Sequence, residues 1–177
     1  AEIMINEVDR LNRVVTELIE YARPSHIAAR KTDLGQLVDH SLSLIRHDLD
    51  MANVSVEIDI PTEIVEISID PDRMQQCLLN IYLNAVQAMP EGGTLRIQGF
   101  RAEDGRTGLR ISDSGKGISK EDLSKIFDPF YTTKNQGTGL GLAMVLKIVE
   151  AHEGEIEVAS QEGQGTVFTI LLPGERD

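Results

Sequence analysis

The chain has 177 residues, 41% hydrophobic and 26% charged, which is ordinary composition for one globular domain with an appended element. Its 29 acidic residues against 17 basic ones leave a formal charge of -12, the wrong sign for nucleic-acid binding, so a polyanionic ligand must find local lysines, a metal ion or backbone N–H groups. No apolar run reaches the roughly 18 to 20 residues of a membrane span and no secretory leader opens the chain. The single cysteine, Cys77, stands among Met74, Leu78 and Leu79 and reads as a small core residue, so a reducing cytoplasm is the expected compartment.

Met4, Val8, Leu11, Val15, Leu18 and Ala22 recur at alternating four- and three-residue intervals. This is the seam of a coiled coil or helical bundle, or else the inner face of a helix lying on its own domain. Arg23-Pro24-Ser25 ends that helix. Thr32 and Asp33 offer an N-cap for a second helix over 34–51, and alternating runs at 54–60 and 65–69 read as strands. Asp70-Pro71 is a cap followed by proline at the first helical position, opening a helix that runs to Met89 and stops at Pro90-Glu91-Gly92-Gly93. Strands follow at 94–101 and 108–112 around an Asp104-Gly105 turn, then a short helix at 120–126. Residues 128–141 lack hydrophobic periodicity and read as a mobile loop, 142–151 as a helix, and 155–160 with 166–172 as a closing hairpin. Helices interleaved with hairpin-joined strands imply an α/β (α+β) two-layer sandwich, its sheet mixed but mainly antiparallel and covered by helices on one face.

The residues suited to chemistry fall in separate blocks. Asn80 and Asn84 lie four apart and therefore on one helix face; they are surface amides or ligands for Mg²⁺, which a neutral amide oxygen can hold without repelling phosphate. Asp113-Ser-Gly115-Lys-Gly117 follows a strand and is a turn, or else a carboxylate able to accept from the exocyclic amine of adenine with glycines letting backbone approach the ring. Gly137-Thr138-Gly139-Leu140-Gly141 runs into a helix, where free N–H groups and the helix dipole favour an anion.

Asn80-x-x-x-Asn84-Ala85, Asp113-x-Gly115-x-Gly117, Phe127-x-Pro129-Phe130, Gly137-x-Gly139-x-Gly141 and Gly165-Thr166 together resemble the ordered N, first glycine, F and second glycine boxes of sensor histidine kinases. Residues 33–173 are then similar to their catalytic ATP-binding domain, of the fold shared with gyrase, MutL and the heat-shock chaperone. Phe127-Asp-Pro-Phe-Tyr-Thr-Thr133-Lys134 looks most like the nitrogen-regulation type. Residues 1–23 resemble the second helix of the dimerisation hairpin, with 24–32 a linker and 174–177 a tail. The resemblance implies ATP and Mg²⁺ as ligands: Asp113, Gly115 and Gly117 at adenine, Asn84 and Asn80 on the metal, and Gly137, Thr138, Gly139, Leu140 and Gly141 around the phosphates. Thr133 and Lys134 would reach the nucleotide from the lid, with Lys134 at the γ-phosphate. Phe127 and Phe130 would fasten that lid, although Phe127 by itself reads equally well as a plain core aromatic, and Thr166 would touch the nucleotide through water. Asn80 stands where hydrolytic relatives carry a glutamate base, which favours transfer to a side chain over hydrolysis.

A histidine acceptor in such kinases lies in a His-[Glu/Asp]-x-x-x-Pro setting. His26, His40, His47 and His152 do not, so all four read as surface or capping residues and the acceptor is expected upstream of Ala1. The implied partners are ATP or ADP, an acceptor hairpin and a response regulator, in a homodimeric parent whose membrane attachment is open, as is the oligomeric state of the chain itself. A serine kinase of the anti-sigma type and an ATP-gated pseudokinase are the alternatives on the same fold.

Overall fold

In a computed structural model, residues 2–23, 26–62, 66–134 and 137–174 are described. The expectations that concern Pro24, Ser25, Val65, the lid residues Asn135 and Gln136, and the tail residues 175–177 lie outside the described residues, as does the side chain of Met4.

Helix α4 (Pro71–Ala88) forms as its cap predicts: the Asp70 carboxylate accepts the N–H groups of Asp72 at 3.2 Å and Arg73 at 3.1 Å, and Pro71 occupies the first turn. Asp70 Oδ2 also accepts the N–H of Ala28 at 2.9 Å, tying the entry segment to the helix. Burial alone would raise this carboxyl, but the three N–H donors hold it below its ordinary range. His152 completes the junction. It is buried, its Nε2 accepts the Asp70 N–H at 3.0 Å, and its Nδ1 lies 2.8 Å from the Ile148 carbonyl, so it must be the neutral tautomer with the proton on Nδ1. His152 is thus a capping residue at the end of α6 (Gly141–Ala151), while His26, His40 and His47 are exposed.

Two elements depart from expectation. Residues 24–32 read as linker, yet β1 (Arg30–Asp33) pairs antiparallel with β3 (Glu66–Ile69), Arg30 opposite Ile69 and Asp33 opposite Glu66. The helix expected over 34–51 is two: α2 (Leu34–Leu44), capped by Asp33 on the N–H of Gln36 at 2.9 Å, and α3 (Arg46–Met51), separated by Ile45 at φ -110° and ψ 15°.

The main sheet is five-stranded in the order β2 (Val54–Asp59), β4 (Gly93–Arg101), β5 (Thr107–Asp113), β7 (Thr166–Leu172), β6 (Glu155–Ser160). Only β2 and β4 run parallel; the other pairs are antiparallel. Alternate residues such as Leu95, Ile97, Ile111, Phe168 and Ile170 are buried on one face. Helices α2, α4 and α6 cover it with Val38, Met74, Leu78, Ile81, Val145 and Val149. Cys77 lies in this core, its thiol pushed up to about 12 by burial, which leaves it inert as a nucleophile.

Helix α1 (Glu2–Ala22) docks on this body by a face other than its apolar seam. Gln76 Nε2 donates to Glu20 Oε2 at 2.6 Å, and Lys147 Nζ donates to the carbonyls of Tyr21 and, at 3.0 Å, Arg23 while lying 5.0 Å over the Tyr21 ring. Val8, Leu11 and Val15 remain more than half exposed. No helix among the described residues is long and apolar enough to cross a membrane.

Candidate functional site: a cavity between helix α4 and the lid

A cavity of about 760 Å³ opens between α4, the end of β5, the segment 116–119, the loop residues 131–134 and 137–139 and the start of α6. That is ample for a nucleotide-sized ligand. Asn80 and Asn84 face it from consecutive turns of α4, with Leu83 and Gln87 beside them. Gln87 stands three residues beyond Asn84, so helical spacing alone puts both on one face.

At one end an acid of the lining, Asp113, stands beside apolar walls. Asp113 ends β5, opposite Thr166 on β7, and its Oδ1 accepts the Gly115 N–H at 2.8 Å. Burial raises its carboxyl above the ordinary range, partly offset by the N–H groups of Gly115 and Thr166. Ile118, Ile126 and Phe168 line the cavity around it, and Thr166 borders it from a buried position. A carboxylate kept against such walls suits a neutral ring carrying an amine.

At the other end the groups suit an anion. Gly137, Thr138, Gly139 and Gly141 line the cavity where α6 begins, so the first N–H groups of that helix lie beside it. Lys134 reaches across from the loop, and its Nζ donates to Asn84 Oδ1 at 2.6 Å and to Gln87 Oε1. Desolvation, then the charge of Lys116, pulls its pKa below the ordinary lysine value. Among the described residues it forms no ion pair, its partners being neutral amides. A bound anion would restore what burial and Lys116 withdraw.

Most of the residues expected at the site meet here: Asn80, Asn84, Asp113, Gly117, Thr133, Lys134, Gly137, Thr138, Gly139, Gly141 and Thr166 all line the cavity. Four do not, and each has a local reason. Gly115 is needed for packing: a Cβ there would lie 2.6 Å from the Ala88 carbonyl oxygen. Phe127 is half-buried with its ring edge-on to Phe168, centroids 6.5 Å apart, which makes it a core aromatic. Phe130 is not an apolar anchor, being 61% exposed at φ 68°. Its contribution is the backbone N–H, which donates to the Gly139 carbonyl at 3.0 Å and closes the neck of the loop. Leu140 turns its side chain inward and is 1% exposed.

Gly117, which lines the cavity, is also constrained by packing. Its φ is 70°, and a Cβ would meet the Gln161 carbonyl oxygen at 2.0 Å, so the backbone it admits is that of the β6–β7 turn. Lys116, Gln87, Ile118, Ile126 and Glu17 are further wall residues that were not expected from the sequence. For Gln87 the helical spacing was available, whereas Glu17 reaches the cavity only because α1 docks.

The model of the "Histidine kinase-, DNA gyrase B-, and HSP90-like ATPase" family matches residues 69–176, which span α4, the lid and the closing hairpin. The chain belongs to this family. Over 175 residues it is 47% identical to the sensor histidine kinase ZraS of Escherichia coli (strain K12), an alignment covering 98% of this chain and 37% of that protein. It thus spans little more than a third of that relative. Among solved structures it is similar to full-length ShkA in complex with AMPPNP, with a TM-score of 0.84 and 25% identity over 95% of this chain and 36% of that one. It is also similar to the histidine kinase ThkA in complex with the response regulator TrrA, with a TM-score of 0.79 and 25% identity over 98% of this chain and 50% of that one.

Proposed function

We propose that this chain is the ATP-binding catalytic part of a two-component sensor histidine kinase, which transfers the γ-phosphoryl group of ATP to a histidine on a dimerisation hairpin. The observation that carries this reading is one cavity with Asp113 among apolar walls at one end and Asn84, Lys134 and the start of α6 at the other. Relatives named as sensor histidine kinases support it.

Asp113 accepts from the amine of adenine and disfavours guanine, which bears a carbonyl there. Asn84 and Asn80 fit a magnesium ion: both are neutral oxygen donors, and Asn84 Oδ1 already attracts a cation, the Lys134 ammonium. When bound, that ion would offset phosphate charge. Lys134 would exchange its amide partners for the γ-phosphate, and the N–H groups at the start of α6 would hold the other phosphates. Transfer then depends on positioning, because no carboxylate stands at Asn80 to activate water. Residues 1–23 are read as the second helix of the hairpin, and the ATP-binding domain as running to 173 from β1 at Arg30, where the linker expected over 24–32 gives way to strand. The compartment is the cytoplasm, and the next partner is a response regulator, as in the ThkA–TrrA complex.

Calorimetric titration tests the ligand assignment. Mg·ATP should bind and Mg·GTP should bind poorly, with Asn84→Ala losing the dependence on magnesium. Equal affinity for the two nucleotides would reject the adenine assignment.

A further inference from the structure

Glu17 lines the nucleotide cavity although it belongs to α1, and its Oε2 accepts a hydrogen bond from the Thr138 hydroxyl of the lid. One turn further on, Glu20 is held by Gln76 of α4, and the last carbonyls of α1 are capped by Lys147 of α6. We infer that α1 is a latch on the nucleotide site: its Glu17 occupies the lid hydroxyl and sets a negative charge against incoming phosphate, so that nucleotide binding and docking of α1 oppose one another. This rests on reading the cavity as a nucleotide site.

Two physical facts give the opposition its sign. A threonine hydroxyl has one proton, so Thr138 cannot donate to Glu17 and to a phosphate oxygen together. A carboxylate in a half-buried cavity also repels a triphosphate more than it would in open water. Coupling between two sites is reciprocal, so whatever α1 does to nucleotide affinity, nucleotide does to the docking of α1. The apolar seam of Val8, Leu11 and Val15 is exposed while the latch is closed, so release moves a helix that already offers its seam to a partner.

The test uses the whole chain and Mg·AMP-PNP. Affinity is measured for the wild type, Glu17→Ala, which removes the acceptor, and Lys147→Met, which loosens α1 away from the cavity. Both variants should bind about fivefold more tightly, the lower end of typical coupling between sites. Nitroxide labels at Asn12→Cys and Gln161→Cys, both exposed, should report a longer or broader separation once nucleotide is added. Cys77, buried with its thiol pushed up to about 12, will not take the label. Unchanged affinity in both variants with an unchanged label separation overturns the latch while leaving the nucleotide site intact. Tightening by Glu17→Ala alone reduces the effect to local charge and also overturns it. A wild-type chain that binds no nucleotide rejects the site itself.

Discussion

Asp113 meets two opposed demands, and their balance is measurable. Its carboxyl is raised by burial, so the native chain holds a proton at a pH where the unfolded chain has released it. Between the ordinary carboxylate value and the raised one, stability therefore falls as pH rises, and at neutral pH the ionised group is a burden on the empty fold. Asp113→Asn should be at least as stable as the wild type in thermal unfolding at neutral pH, yet lose most of its ATP affinity. A variant that unfolds several degrees earlier would mean that Asp113 is structural. ATP affinity of the wild type should also fall on acidification sooner than free carboxyl groups titrate, because the protonated acid is a poorer acceptor for the adenine amine. His152 makes the complementary case. Its ring satisfies the Asp70 N–H and the Ile148 carbonyl, so His152→Ala should cost about 1 to 3 kcal/mol in chemical denaturation. Alanine at exposed His26, His40 or His47 should stay within about 0.5 kcal/mol of wild type.

Among the elements, the lid is closed by backbone where aromatic side chains were expected to close it. Phe130 adopts φ 68° to donate to Gly139, itself at φ 72°, and a Cβ at Gly139 would lie 2.4 Å from the Phe130 carbonyl carbon. Gly139→Ala should open this neck, raising hydrogen exchange across 130–139 in the empty chain and weakening nucleotide binding while the global unfolding temperature barely moves. Exchange that is indifferent both to the substitution and to saturating Mg·ATP would contradict this account of the lid. The elements also separate what sequence carries from what it does not. Helix α4 was legible because Asp70-Pro71 states its own start in local chemistry, and β6 and β7 because alternation and a glycine turn do the same. Strand β1 was not, since four polar residues become a strand only when β3 supplies the ladder. The break at Ile45 carries neither glycine nor proline, and the apolar spacing of Leu42, Ile45 and Leu49 runs straight through it. Likewise the boxes gave the residues on α4, β5 and the lid, whereas Phe130 failed as an anchor because exposure is decided by a turn conformation that its neighbours do not encode.

Across the whole molecule, a chain of net charge -12 gathers Lys116 and Lys134 at one cavity, and α1 leaves its apolar seam exposed above it. That distribution fits a nucleotide-charged domain that meets its acceptor on a helical partner. It also fits a chain that does not phosphorylate itself, because His152 is buried with both ring nitrogens engaged and the other three histidines stand exposed on surfaces away from the cavity lining. The direct test is to incubate the chain with radiolabelled ATP and Mg²⁺, alone and with a separately produced dimerisation hairpin bearing an acceptor histidine. The expected result is acid-labile label on the hairpin only, slow because docking in trans is weak, absent with Asn84→Ala, and none on this chain. Stoichiometric label on the chain by itself, removed by His47→Gln or His152→Gln, or acid-stable label on the hairpin, would contradict it.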